Sequence, residues 1–499
     1  MICRAKGKGQ RARVVALCLL TAGLGACARA RPSVTPAPLD SLRQLQADIR
    51  SAIAVPGVRR AAWGIVVHSL DRDERLFELN PGTLLVPASI VKLVSLASAS
   101  DAVGWEFRYE TTLRATGPTV DGVLMGDLLA VGSGDPSIAG RGGADLTAWA
   151  DALMAAGVRR IGGRIIGDDD GLEEPRPQLA WAWDDLGYST GALFGALNLA
   201  ENRMEVTVTP GQSAGDPTTL SVEPHAGKRP LMNRSGTGAP GSAALLWPEQ
   251  RPGETFLTIA GSIPQGAAPV RLQVSVGNPT LWFAAVLRHT LLERGIEVVG
   301  DAFDIDDVTP RPSPASATVL YTHRSATLAE LARPMLADSI NLYGEAVLRL
   351  NTPPGAFPTN DAALAGLRGR MAGWGIPDDA WQVVDGSGLS RRNAVSPEVF
   401  VSILRRMHDP SGRSPWLTAL PAAGREGTLA ERMKGPPAAD NVRAKTGTMS
   451  NIRTLAGYVQ TRDGERLAFA IMADGFEGSG RAAVEAVDRI VVRLAEFRR

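Results

Sequence analysis

Apolar positions along this chain change their spacing several times, and each change marks a candidate element. Leu42, Leu45 and Ile49 recur at helical spacing within 39–54. Residues 61–70 and 75–79 read as two strands around the polar turn 71–74. Val91, Leu93, Val94 and Leu96 then give a helix whose start falls near Ser89. From about residue 109 the texture shifts to short alternating runs and glycine turns, such as 122–131, 164–168 and 203–209. The stretch 211–241 is rich in Gly, Pro and Ser and poor in helical pattern. Helical spacing returns over 280–293, stopped by Gly295, and dominates from 328 to about 406. Strand-like runs follow at 443–448, 454–460 and 467–473, and an amphipathic helix spans 480–498. The pattern predicts an α+β fold in which the N-terminal hairpin joins the C-terminal strands in one antiparallel sheet flanked by helices. The expected division is 39–108 and 277–499 for that domain, with a β-rich insertion over 109–276.

The N-terminus reads differently. Arg4, Lys6, Lys8, Arg11 and Arg13 precede an apolar run over 14–24 that is too short to span a bilayer as a helix, so 1–30 is a targeting leader. Leu24-Gly25-Ala26-Cys27 has the form of a lipobox, with Cys27 as the lipidated residue, while small-residue cleavage sites over 26–30 offer an ordinary signal-peptide ending. Residues 31–38 read as a proline-stiffened tether. The protein is therefore expected outside the cytoplasm, in the periplasm or cell envelope, with Cys27 as a candidate membrane anchor.

The three cysteines, Cys3, Cys18 and Cys27, all fall in the leader, which excludes a disulfide, thiol catalysis or a cysteine metal site beyond it. Hydrophobic and charged fractions of 44% and 21% are those of a soluble globular protein. A net charge of +1, with no basic stripe beyond the leader, argues against a nucleic-acid partner. No cofactor or metal is called for.

The candidate chemistry comes from lysine. The chain uses 47 arginines against 6 lysines, and Lys92 and Lys445 each sit in a motif that needs an amine. A guanidinium stays protonated, whereas burial can drive an ammonium to the neutral base. Ser89 and Lys92 form the one Ser-x-x-Lys of the chain, spaced to share a helical face. Ser339 and Asn341 form a Ser-x-Asn cluster in which the hydroxyl could relay a proton and the amide orient a substrate. Lys445-Thr446-Gly447-Thr448 lies on an expected strand, where the lysine and threonine could bind a carboxylate and Gly447 admit substrate to the backbone. A solvated helix start, a polar patch and a strand turn explain each cluster taken singly; the three in this order make a combined signal.

Those motifs resemble the three of penicillin-binding proteins and serine β-lactamases. The separation of about 250 residues between the first two is similar to that of the low-molecular-weight class C, or D-alanyl-D-alanine carboxypeptidase/endopeptidase, family. Gly134-Asp135-Pro136, residues 183–186, 385–393 and Gly427-Thr428-Leu429 also resemble that family. The resemblance implies a DD-peptidase-like domain that acts on peptidoglycan peptides and is acylated by β-lactams. It implies Ser89 as nucleophile, Lys92 as base, and Ser339 and Asn341 for protons and positioning. Lys445 and Thr446 would take the terminal carboxylate, and the backbone N–H groups of Ser89 and Thr448 the oxyanion. Asp185, beside Asp184, resembles the family's acidic residue that meets a substrate amine.

Two rivals have distinct signatures. Gly187-Tyr188-Ser189-Thr190-Gly191 matches the Gly-x-Ser-x-Gly elbow of an α/β-hydrolase esterase, but the preceding residues do not read as a buried strand. A catalytically inactive wall-binding lipoprotein on the same fold would keep the platform without the chemistry.

Overall fold

The computed structural model describes residues 38–140, 145–223, 230–251, 254, 256–409 and 411–499. The leader, most of the tether and Cys27 lie outside the described residues.

A five-stranded antiparallel sheet forms the centre of the body that holds both ends of the described chain. Its strands run in the order Glu74–Leu79, Ala62–Ser69, Arg466–Asp474, Ile452–Gln460 and Arg443–Met449. The middle strands are buried on both faces, which is why their sequences read as nearly unbroken apolar runs. Side chains alternate between two cores. Leu467, Phe469, Ile471 and Ala473 enter a core shared with the helices Pro38–Ile53 and Arg481–Glu496. Ala468, Ala470 and Met472 face a second core, which holds the helices Val91–Val103, Leu328–Ala337, Asn341–Arg349 and Pro397–Met407. The small alanines let that second layer approach closely. The helix Val91–Val103 is buried from Val91 through Ser100, so it is enclosed on all sides rather than amphipathic. Thr327 and Glu330 cap the start of the helix Leu328–Ala337 reciprocally.

The large insertion is closed at its root. Its first and last strands, Glu110–Ala115 and Thr318–Arg324, pair antiparallel, and Tyr109 and Ser325 exchange hydrogen bonds just outside them. Those strands belong to a mixed sheet with Ala302–Asp304, Ile165–Asp168 and Leu128–Val131. A second layer and two small three-stranded sheets complete the unit.

The observed root corrects the expected boundary after residue 276. The helix Pro279–Glu293 places Trp282, Phe283, Leu287 and Leu291 in the core of the insertion, where Phe283 packs on Trp149 at 5.6 Å between ring centroids. Residues 277–324 therefore belong with the insertion. Apolar periodicity identified this helix but carries no record of which core receives it. The N-terminal hairpin, the C-terminal strands and the final helix fall where the pattern put them.

Candidate active site

Ser89 occupies the single turn Ala88–Ile90 that leads into the buried helix Val91–Val103. Ala88 holds a φ of +50°, a left-handed conformation unusual for a residue with a side chain, immediately before the serine. Over this turn lies the loop 384–393. Gly388, at φ +83°, would put a Cβ 2.0 Å from the Ala88 carbonyl oxygen, so a glycine is required for the loop to close.

Lys92 has no exposed surface. Its Nζ lies 3.1 Å from Ser89 Oγ, 2.8 Å from Asn341 Oδ1 and 2.6 Å from the Ser387 carbonyl oxygen. The two oxygens from Asn341 and Ser387 can only accept, whereas the serine hydroxyl can donate. A neutral amine satisfies this set with two N–H bonds to the acceptors and its lone pair toward Ser89. Burial lowers the Lys92 pKa to about 7, opposed by the negative charges of Asp385 and Glu345.

Asn341 is the first residue of the helix Asn341–Arg349. Its Nδ2 donates to the Thr190 carbonyl at 2.8 Å, which fixes the amide with Oδ1 toward Lys92. Ser339 stands at φ +63° in the break between two helices, and its Oγ is 2.8 Å from Lys445 Nζ. Lys445 is also fully buried, and burial, with the nearby Lys92 charge, pushes its pKa well below the usual lysine range against the pull of Asp338. Thr446 Oγ1 donates to Thr428 Oγ1 at 2.8 Å. A Cβ on Gly447 would fall 2.1 Å from Thr454 Oγ1 and 2.7 Å from the Pro87 carbonyl, so this glycine lets the edge strand lie against the turn that carries Ser89. Thr448, next along the strand, is exposed.

A cavity of about 430 Å³ opens over Ser89, with the two lysines buried behind its wall. Ser89, Ser339 and Asn341 line it from the body built on the five-stranded sheet, Thr448 to Ser450 from the edge strand, and Gly388, Leu389 and Arg391 from the loop. The insertion supplies Asp184, Asp185 and Thr190. Burial, then the Asp184 charge, raises the Asp185 pKa, while Arg391 opposes the shift.

The three motif clusters, hundreds of residues apart in the chain, thus converge, and Asp185 faces the same space. The esterase reading of Ser189 does not survive: this serine opens a short turn, Ser189–Gly191, that follows the turn Trp183–Asp185 rather than a buried strand. The elbow-like stretch instead delivers the Thr190 carbonyl that orients Asn341. Reading the sequence missed the Ser387 carbonyl, Thr190, Glu345 and the partnership of Thr446 with Thr428. Signals existed for two of these, in the family-like stretches 385–393 and 427–429.

Residues 45–497 match the D-Ala-D-Ala carboxypeptidase 3 (S13) family. A D-alanyl-D-alanine carboxypeptidase of Actinomadura sp. (strain R39) is 33% identical over 510 aligned residues, covering 99% of this chain and 92% of the relative. The D-alanyl-D-alanine carboxypeptidase DacB of Haemophilus influenzae is 24% identical over 83% of this chain and 85% of its own length. The crystal structure of penicillin binding protein 4 (dacB) from the same organism superposes with a TM-score of 0.79 at 22% identity, covering 90% of this chain and 99% of that one, and so shares the fold. With a match that spans nearly the whole chain, this protein belongs to the D-Ala-D-Ala carboxypeptidase 3 (S13) family of penicillin-binding, serine-type carboxypeptidases.

Proposed function

We propose that Ser89 is the nucleophile that removes the last residue of peptidoglycan stem peptides ending in D-Ala-D-Ala, with Lys92 as its general base. The observation that carries this reading is the Lys92 amine, sealed from solvent and aimed at Ser89 Oγ with two acceptor oxygens holding its other face. Neutral Lys92 takes the Ser89 proton as Oγ attacks the carbonyl carbon of the penultimate D-Ala. The oxyanion that forms is held by the backbone N–H groups of Ser89 and Thr448. Collapse breaks the peptide bond; the proton held by Lys92 passes by way of Ser339, which is hydrogen-bonded to Lys445, to the leaving amine, which departs as free D-Ala and leaves Lys92 neutral again. Water, giving its proton to Lys92, then attacks the acyl carbonyl; the acyl–Oγ bond breaks and Lys92 returns the proton to Ser89. Lys445 and Thr446 bind the terminal carboxylate, Gly447 keeps the strand close, and Asp185 faces a substrate amine.

A β-lactam enters the same acylation step and stays. The crystal structure of penicillin binding protein 4 from Haemophilus influenzae complexed with a novel β-lactam supports this by shared fold, with a TM-score of 0.74. The same acyl-enzyme serves endopeptidase cleavage of cross-links, so digestion of purified muropeptides followed by mass analysis separates the two activities. Such a substrate lies outside the cytoplasmic membrane. Cys27 is the proposed lipid attachment point, and Cys27→Ser is expected to release the protein from the membrane fraction.

Fluorescent penicillin tests the assignment. Wild type is expected to label covalently, and Ser89→Ala to lose the label while Ser189→Ala keeps it. Absence of label on every protein would favour the non-catalytic wall-binding platform.

A further inference from the structure

We propose that Glu345 is a positioning residue for the catalytic base, acting through the loop that carries Ser387. This inference rests on the proposed role of Lys92. Glu345 lies one turn after Asn341 on the helix Asn341–Arg349, so the two side chains share a face. Asn341 touches Lys92 directly. Glu345 reaches it indirectly: its Oε1 accepts the backbone N–H groups of Gly386 at 3.1 Å and Ser387 at 2.9 Å, and the carbonyl of that same Ser387 accepts from Lys92 Nζ at 2.6 Å.

The helix and loop are fitted to each other for this contact. A Cβ on Gly344 would lie 2.8 Å from the Gly386 carbonyl oxygen, and one on Gly386 would lie 2.2 Å from the Gly344 carbonyl oxygen. Glycine at both positions lets Glu345 approach the loop backbone. The other end of the loop is held by Asp385, whose carboxylate accepts from the N–H groups of Gly388 and Ser390 and from the Asn393 and Trp181 side chains. Asp385 thus folds the loop, while Glu345 anchors the residue whose carbonyl Lys92 uses.

Glu345 has no exposed surface, and its Oε2 has no hydrogen-bond partner among the described residues; the Arg349 guanidinium lies 4.0 Å from it. Burial, then the neighbouring Asp385 charge, raises the Glu345 pKa to about 7, with Arg349 opposing, so Glu345 acts on the base by geometry at every pH and by charge increasingly above neutral pH. The charged groups facing Lys92 are Asp385 from the loop, Glu345 from the helix and Lys445 from the edge strand, with Arg349 beyond Glu345. Negative charge at 345 favours the ammonium form of Lys92. Removing it lowers the Lys92 proton affinity, so the neutral base persists to lower pH.

The two roles separate in two variants. Glu345→Gln keeps an oxygen for both backbone N–H groups and deletes the charge; Glu345→Ala deletes both. The measurement is the second-order rate of penicillin acylation of the full chain across pH 5–10, read beside the melting temperature. Glu345→Gln is expected to acylate within about threefold of wild type at high pH, with its acid limb displaced downward by a few tenths of a pH unit, because Glu345 is itself partly protonated over that limb. Glu345→Ala is expected to lose about 30-fold or more at every pH, with the amide variant restoring most of the loss. An acid limb unmoved or raised in Glu345→Gln overturns the proposal, as does wild-type acylation by Glu345→Ala. If Glu345→Ala does not fold, the limb of Glu345→Gln decides alone. Failure of the underlying reading looks different, because wild type itself would then show no acylation at Ser89.

Discussion

Lys92 and Lys445 are the two lysines without exposed surface around this cavity. Burying an ammonium costs several kcal/mol unless it finds full hydrogen bonding or sheds its proton. The two resolve that cost differently. Lys92 has three partners and a pKa lowered to about 7, so a large fraction is neutral under ordinary conditions. Lys445 leans on Ser339 Oγ and the Thr446 carbonyl, and its pairing is completed by an incoming carboxylate in the proposed mechanism. Lys92→Met keeps the length and apolar stem but removes the nitrogen, and is expected to fold while acylating about 10³-fold more slowly. Lys445→Ala is expected to weaken turnover of D-Ala-D-Ala peptides about 10²-fold, more than its change in melting temperature would explain. Both lysines were legible in the sequence because the chain otherwise prefers arginine. Glu345 was not, since a glutamate at helical spacing looks the same whether it faces water or a catalytic loop.

At the scale of elements, close approach rather than propensity decides the site. The edge strand Arg443–Met449, the turn Ala88–Ile90 and the loop 384–393 meet at glycines whose Cβ positions are already occupied. Gly388→Ala combines a left-handed φ with a 2.0 Å clash against the Ala88 carbonyl. It is expected to destabilise by about 3 kcal/mol or more and to abolish acylation, measured by melting and penicillin labelling. Gly369 is the control: it lies on the exposed side of the helix Asn360–Gly373, and a Cβ added there would meet nothing within 4 Å. Gly369→Ala is expected to stabilise by roughly 0.5–1 kcal/mol with activity unchanged. The helices and strands themselves were legible to within a few residues, because the double-sided sheet and the enclosed helix leave strong apolar signatures. The turn Ala88–Ile90 and the loop left none, being set by backbone contacts between distant segments.

Across the whole molecule, the insertion forms one wall of the candidate active site. It supplies Asp184, Asp185 and Thr190 to the cavity, and its Trp181 indole donates to Asp385 at 2.8 Å beneath the loop. The Ser390 hydroxyl donates to the Leu179 carbonyl at 2.7 Å and makes a second tie. Trp181→Phe removes one of four donors from a buried carboxylate, which is expected to cost about 1–3 kcal/mol and to slow acylation by loosening the loop. Differential scanning with acylation kinetics on the full chain checks both. The two-body plan was visible as a change of texture near residue 109. Its return point was misplaced by some 48 residues, from 276 to about 324, because the helix Pro279–Glu293 resembles those of the body built on the five-stranded sheet in sequence while packing into the other core.

The central claim, that a neutral amine at Lys92 activates Ser89, is met most directly by the pH dependence of penicillin acylation in wild type. The acylation rate constant is expected to rise through a midpoint near pH 7 and to level off above it, following loss of the Lys92 proton. A profile flat from pH 5 to 9, or one still rising toward the usual lysine range, would contradict it.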